Sequence, residues 1–302
     1  MLLNHVYQNT RDGFLIFYSV SDYLVFFTIL CVVARKCPVT ITDVNLMPDH
    51  IHLAVVEKIK GALSSLMRDT LSRFSRVHNA VCGMKGPLFN PRFGSVVKTR
   101  DKDARSCIIY IDNNPVERHL CERAEQYRWG FLAYAENHHP FSAPIKISKC
   151  SRPLRYAVQV VKSRHHAGYP LSYQLLQIIS RDLKREEREQ LIDFIIGTYS
   201  VICYEDANRF FDSFADRLIA DHSVSAREYD INEVFAGKSD AYYAKMSRII
   251  LKEKGYSDIH EILSLSLEEK HALFRLLHQK TAAPAEQIRK YLRIPKSHVA
   301  AK

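Results

Sequence analysis

The sequence predicts an α+β fold. A small antiparallel sheet with helices on one side comes first, and an all-helical region follows. Three observations predict it. Alternating, β-branched stretches are confined to the part of the chain before about residue 142. They are interleaved with helical periodicities in the order strand, helix, two strands, helix, strand, helix. From Ser142 onward strand signals fade and the chain reads as helices. The 302 residues are enough for two domains with real cores.

Each element has its own signal. "NHVYQNT" (Asn4–Thr10) is strand-like, and a turn at Arg11-Asp12-Gly13 leads to a second apolar strand. Ser19 or Ser21 then caps a helix running to about Arg35. The run Gly13–Ala34 is long and apolar, but Ser19, Ser21 and Asp22 interrupt it. About twelve apolar residues remain from Tyr23, too few for a bilayer, and no basic segment precedes them as in a signal peptide. A buried helix is expected there, with no role in a membrane. "PVTITDVNLM" (Pro38–Met47) and "HIHLAVVE" (His50–Glu57) are strands joined tightly at Pro48-Asp49. A helix spans about Ala62–Val77, with Leu63, Leu66, Met67, Phe74 and Val77 on one face and Arg68, Arg73 and Arg76 off it. Phe93–Thr99 is a short strand, and Asp103–Asn114 a helix that Pro115 stops.

Lys146–Arg155 reads as a basic linker, followed by helices at Tyr173–Leu183, Arg185–Thr198 and Asn208–Asp221. In the last cluster, Ser239–Pro295, Ser266 and Glu269 form a capping box. The break "AAPA" then separates that helix from "EQIRKYLRI". Two helices joined so tightly have the shape of a helix-turn-helix, with Arg289, Lys290 and Arg293 on the second, and an ordinary helical hairpin has the same signature.

Net charge is +10, which favours an anionic partner, either nucleic acid or an anionic membrane surface. The seven cysteines are irregularly spaced with no C-x-x-C pair, which argues against a disulfide framework and suits a reducing cytoplasm. No glycine loop for nucleotide phosphates is present.

The stretch "LMPDHIHLAVV" carries the chemistry. Side chains alternate along a strand, so His50 and His52 share a face and Ile51 takes the other. Two imidazoles so placed can share a metal ion, and they can equally be two half-exposed strand residues. A further element bears on this choice. In "IIYIDNNPVERHL", Tyr110 and Asn114 are one helical turn apart. Asn114 could add an amide oxygen to the imidazoles, a donor set suited to magnesium or manganese with waters. A phenol is a poor nucleophile at its ordinary pKa, and a divalent cation beside the reacting phosphate lets it attack.

"MPDHIHL" followed by "YIDNNPV" resembles the single-tyrosine HUH transposases, including the IS200-like and REP-associated tyrosine transposases. "YRWGFLAY" (Tyr127–Tyr134) resembles their Trp-Ser-Ser-Tyr segment in weakened form, and the resemblance covers roughly residues 1–140. It implies a ferredoxin-like HUH nuclease domain over 1–141, and the helical periodicities beyond it, which the resemblance does not cover, give a helical linker region over 142–238 and a helical module with the helix-turn-helix signature over 239–302. It also implies Tyr110 as nucleophile and His50, His52 and Asn114 as ligands of Mg2+ or Mn2+. The implied reaction is cleavage and rejoining of single-stranded DNA near a hairpin through a 5′-phosphotyrosine, in a bacterial cytoplasm at the nucleoid. Whether the chain acts alone or as a homodimer is left open.

Two departures stand out. Gly94 replaces a common tryptophan, and Glu117 and His119 alter the segment after Asn-Pro-Val. With the resemblance in view, Arg68, Arg73, Arg76, Arg92, Lys98 and Arg100 are assigned to the DNA backbone, against the alternative of a solvated face. Two competing functions remain: a hairpin-binding regulator without productive cleavage, and a metal hydrolase in which Tyr110 takes no part.

Overall fold

The computed structural model describes residues 2–223 and 239–296. Four strands, β1 (Leu3–Asn9), β2 (Val39–Met47), β3 (His50–Glu57) and β4 (Gly94–Lys98), form one sheet in the order β2-β3-β1-β4. Every neighbouring pair is antiparallel. Helices α1 (Val20–Ala34) and α2 (Ala62–Val81) connect β1 to β2 and β3 to β4, which is the ferredoxin-like arrangement. A third helix, α3 (Asp101–Glu117), follows β4.

Alternation along β3 separates two cores. Ile51, Leu53 and Val55 pack with α1 and α2, among them Leu24, Leu66 and Phe74. Ala54 and Val56 face the other way and pack with Leu3 and with Cys107, Ile108, Tyr110 and Ile111 of α3. His50 and His52 share that second face, so the sheet presents both imidazoles to the helix bearing Tyr110.

Several expectations are corrected. No second strand forms after the Arg11–Gly13 turn. Ile16 and Phe17 both donate to the Pro48 carbonyl (3.0 and 3.3 Å). Their neighbourhood is apolar because it is shared between two cores: Ile16 and Phe17 enter the main one and Leu15 a second one. Ser19, not Ser21, caps α1, in a capping box with Asp22. Helix α2 continues four residues beyond Val77. Helix α3 runs through Pro115 to Glu117. Proline cannot bond the carbonyl four residues back, here Ile111, and Asn45 of β2 takes that carbonyl with its side-chain amide at 2.5 Å.

The second half is helical. Helix α4 (Arg152–His166) begins inside the expected linker and runs well beyond it, with Ser151 accepting from the Leu154 amide as its cap. It packs with α5 (Tyr173–Ser180) and α6 (Arg185–Tyr199) against α1 in the main core. The helix expected at Asn208–Asp221 is two pieces, α7 (Tyr204–Asn208) and α8 (Phe214–Ser223). Among the described residues no helix is long and apolar enough to cross a membrane.

Residues 239–296 contribute α9 (Ala241–Lys254), a 3-10 turn at Ile259–Leu263, α10 (Leu267–Lys280) and α11 (Ala285–Leu292). Their core of Met246, Ile250, Ile262, Leu277, Ile288 and Leu292 includes Leu15 and Cys82 from the first half. The pair α10–α11 has the expected short connection, but Arg289 and Arg293 of its second helix are turned into the fold. Arg289 is buried and donates to the Ile294 carbonyl (2.6 Å) and to both Glu286 oxygens (2.7 and 2.8 Å). Arg293 donates to the Leu15 carbonyl (3.1 Å), and the Tyr18 hydroxyl to the Tyr291 carbonyl (2.7 Å). Helix α11 therefore docks on residues 10–18, and the residues expected to read a duplex hold this contact instead.

Gly94 also has a structural reason. It pairs with Tyr7 across β1–β4, and a Cβ on Gly94 would lie 2.0 Å from the Tyr7 ring. The absence of a side chain at Gly94 leaves room for the Tyr7 ring reaching over from the neighbouring strand.

Candidate active site

The structure brings together the four residues expected to carry the chemistry. His50 Nε2 lies 3.2 Å from Asn114 Oδ1, His52 Nε2 lies 3.3 Å from Asn114 Nδ2, and that amide donates to the Tyr110 hydroxyl at 3.4 Å. The Tyr110 ring stands edge-on to His52, at 5.5 Å between centroids. β3 supplies the histidines, and one turn of α3 supplies the tyrosine and the amide.

Groups beneath each imidazole orient it. His50 Nδ1 lies 2.6 Å from Asp49 Oδ1, so the Nδ1 proton belongs on that side and the Nε2 lone pair points to Asn114. His52 Nδ1 lies 3.1 Å from His5 Nε2, and with His52 Nδ1 donating there its Nε2 is again bare and accepts from the Asn114 amide. Burial, then the nearby His50, His5 and Arg118, holds His52 well below the usual histidine range. Burial and Lys98 push His5 down to about 4. His52 and His5 are therefore neutral at pH 7, and neutral imidazole is the form in which His52 can bind metal.

The donor set has a mismatch that fits a cation. Two bare ring nitrogens face one amide, which can donate to one of them only. The other meets the amide oxygen, acceptor to acceptor, at about hydrogen-bond distance, whichever way the amide is turned. A divalent cation satisfies all three donors at once, so the residues fit the metal that the resemblance implies.

A charged bridge closes one side. Arg118 at the end of α3 donates to both Asp49 oxygens (3.2 and 3.3 Å) and to Asp240 (3.1 Å). The Asp240 amide returns a bond to the Arg118 carbonyl at 2.8 Å. Burial would raise Asp49, but its hydrogen bond to His50, with Arg118 beside it, outweighs this and lowers it. Burial and Asp49 push Asp240 up to about 7. Tyr110, His52 and Asn114 are each 0% exposed, so the site is closed in this conformation.

A second buried cluster holds α3 from behind. Arg217 of α8 bonds Asp112 through two nitrogens (2.9 and 3.0 Å) and Asp43 of β2 at 2.8 Å. Asp221 completes it, pushed up to about 10 by burial and by Asp112 and Asp43.

The six basic residues are not gathered at the site. Arg68, Arg73 and Arg76 are exposed on α2, across the sheet from Tyr110, and Arg68 is paired with Asp69 at 2.9 Å. Arg92 is exposed in the loop before β4, and Arg100 is engaged by both oxygens of Asp103 (2.8 and 2.9 Å). Lys98, opposite Leu3 in the ladder, stands on the site's face of the sheet.

His5, Asp49 and Arg118 escaped the sequence reading. Asp49 adjoins the histidine pair and could have been read as its orienting carboxylate. The role of His5 needs the β1–β3 register, and nothing in the sequence signals Arg118.

Comparison with known proteins finds the family that the motifs resemble. Residues 16–114 match the family described as "Transposase IS200 like". A solved structure of a REP-associated tyrosine transposase bound to a REP hairpin is 21% identical, with a TM-score of 0.38. The similarity covers 44% of this chain and 78% of that one. No curated protein matches the chain. Over residues 16–114, which take in the histidine pair, the tyrosine and the asparagine, the chain matches the IS200-like transposases.

Proposed function

We propose that this chain is a metal-dependent transposase that cleaves and rejoins single-stranded DNA at hairpin-associated sites, with residues 1–141 as its catalytic unit. One observation carries the reading: a single asparagine amide lies within 3.4 Å of the tyrosine hydroxyl and of both imidazoles. His50, His52 and Asn114 would hold Mg2+ or Mn2+, which when bound neutralises charge on a phosphodiester. Tyr110 Oη forms the new bond to phosphorus as the bond to the 3′ oxygen breaks. The phenol loses its proton, the departing oxygen gains one, and the 5′-phosphate stays on the tyrosine. A 3′-hydroxyl attacking that link reverses the step and rejoins strands, so no ATP is consumed. Asn114 holds the phenol against the ligand set, and Asp49 and His5 fix the two ring tautomers. The expected setting is the cytoplasm, at the nucleoid.

The test is covalent capture. End-labelled hairpin DNA from the flanks of the gene is incubated with the protein, with and without manganese or magnesium. A metal-dependent band that survives denaturation is expected. The closed site favours a second reading, a hairpin-binding regulator, which predicts binding with no such band.

Residues beneath the ligands should matter as well. His5→Ala removes the partner of His52 Nδ1, and Mn2+ affinity should fall roughly 10- to 100-fold by calorimetric titration. An unchanged affinity would mean that His5 only packs there.

A further inference from the structure

We propose a second metal site, a structural zinc centre formed by His78, Cys82 and His260 with the buried Asp22 carboxylate beside His260, joining the end of α2 to the C-terminal helices. The nitrogen and sulfur atoms of the first three lie within 4.8 Å of one another, and all three residues are buried. His78 and Cys82 are one helical turn apart, with Nε2 and Sγ separated by 3.8 Å. His260 comes from the 3-10 turn at Ile259–Leu263, far away in sequence. It has the orienting partner usual for a metal-bound imidazole: Nδ1 lies 2.7 Å from Asp258 Oδ1, which aims Nε2 at the cluster. That Nε2 is 2.9 Å from Asp22 Oδ1, and Asp22 is fully buried.

Without a cation the group is poorly matched. Burial pushes the Cys82 thiol up to about 12 and His78 down to about 4. The cluster thus contains a neutral imidazole and a thiol that stays protonated, in contact with each other through His78 Nε2 and Cys82 Sγ. Burial opposes charging His260, yet its bonds to Asp22 and Asp258 outweigh that and raise it to about 10. A divalent cation would displace two protons, one from Cys82 Sγ and one from His260 Nε2. The resulting thiolate, the Asp22 carboxylate and the dication sum to zero charge, as a buried site requires. One sulfur and two imidazoles select zinc over the hard cations suited to His50, His52 and Asn114. The two sites lie on opposite sides of the sheet: α2 packs on the Ile51 face, and the histidine pair lies on the α3 face.

The full-length protein, stripped of metal under reducing conditions, is titrated with cobalt(II). One tetrahedral equivalent is expected, with an intense thiolate-to-cobalt band in the near ultraviolet that zinc abolishes. Cys82→Ser should lose the band, and the His50→Ala/His52→Ala double variant should keep it. Because Cys82→Ser could disturb folding, zinc-edge X-ray absorption on the zinc-loaded wild type is the second measurement. One sulfur scatterer at about 2.3 Å is expected. A wild-type cobalt spectrum without the thiolate band, a band that persists in Cys82→Ser, or a zinc shell without sulfur would each overturn the proposal. The cluster would then be an Asp22–His260–Asp258 charge relay packed against a thiol.

Discussion

Tyr110→Phe is expected to abolish the covalent protein–DNA adduct and strand cleavage together, a loss of at least about a thousandfold. The substitution removes one oxygen. The ring stays, and with it the edge contacts to His5 and His52 and the burial among Ile108 and Ile111. Hairpin binding and the circular dichroism spectrum should therefore match the wild type. This selectivity separates the three functions considered. A transesterase loses adduct and cleavage at once. A regulator binds hairpins equally well in both forms and never shows an adduct. A hydrolase that activates water at the histidine pair keeps cutting with phenylalanine in place, and that outcome would remove Tyr110 from the chemistry.

The largest effect on stability is expected from Arg217→Met. The guanidinium is fully buried and bonded to Asp43 and Asp112, with Asp221 beside it. Methionine keeps the length of the side chain but leaves the carboxyls without a counterion. Breaking a buried pair in this way costs about 3–5 kcal/mol, which lowers Tm by roughly 10 °C in a chain of this size. The deficit should depend on pH in a defined direction. Burial already raises Asp43, Asp112 and Asp221 above ordinary carboxylates, with Arg217 opposing the shift. Removing Arg217 raises them further. A folded-state carboxyl raised above its unfolded value keeps a proton that the unfolded chain gives up, so stability declines as pH rises from about 4 through the folded value. The variant should therefore be closer to wild type at pH 5 than at pH 8 in denaturant titrations. A deficit that grows on acidification would show that the carboxyls remain charged.

Strand periodicity and the histidine pair made β1 to β4 and the face of the candidate site residues legible, because alternation follows from backbone geometry alone. What was not legible depends on tertiary partners. Pro115 stops a helix unless something else takes the Ile111 carbonyl, and Asn45 is seventy residues upstream of the proline. The residues Phe14–Phe17 read as a strand because they are apolar, yet their apolarity serves two cores rather than a ladder. Helix α4 was hidden by its basic composition, although Leu154, Ala157, Val158 and Val161 keep helical spacing and are buried. Arginines on the last helix suggested a nucleic-acid face, but Arg289 and Arg293 bond backbone carbonyls within the fold.

The bridge from Asp49 through Arg118 to Asp240 has a thermodynamic consequence. On the proposed reaction, a phosphodiester can reach the wholly enclosed Tyr110 only in a minor conformer, and apparent affinity for productive DNA is the intrinsic affinity scaled by that conformer's population. Each tenfold rarer opening weakens apparent binding tenfold, about 1.4 kcal/mol, with no contact to DNA altered. The coupling is reciprocal: DNA that captures the open conformer loosens the hold on Asp240 by the same factor. Residues 239–296 would then act as a competitor tethered to the enzyme, whose strength sets how readily strands are cut.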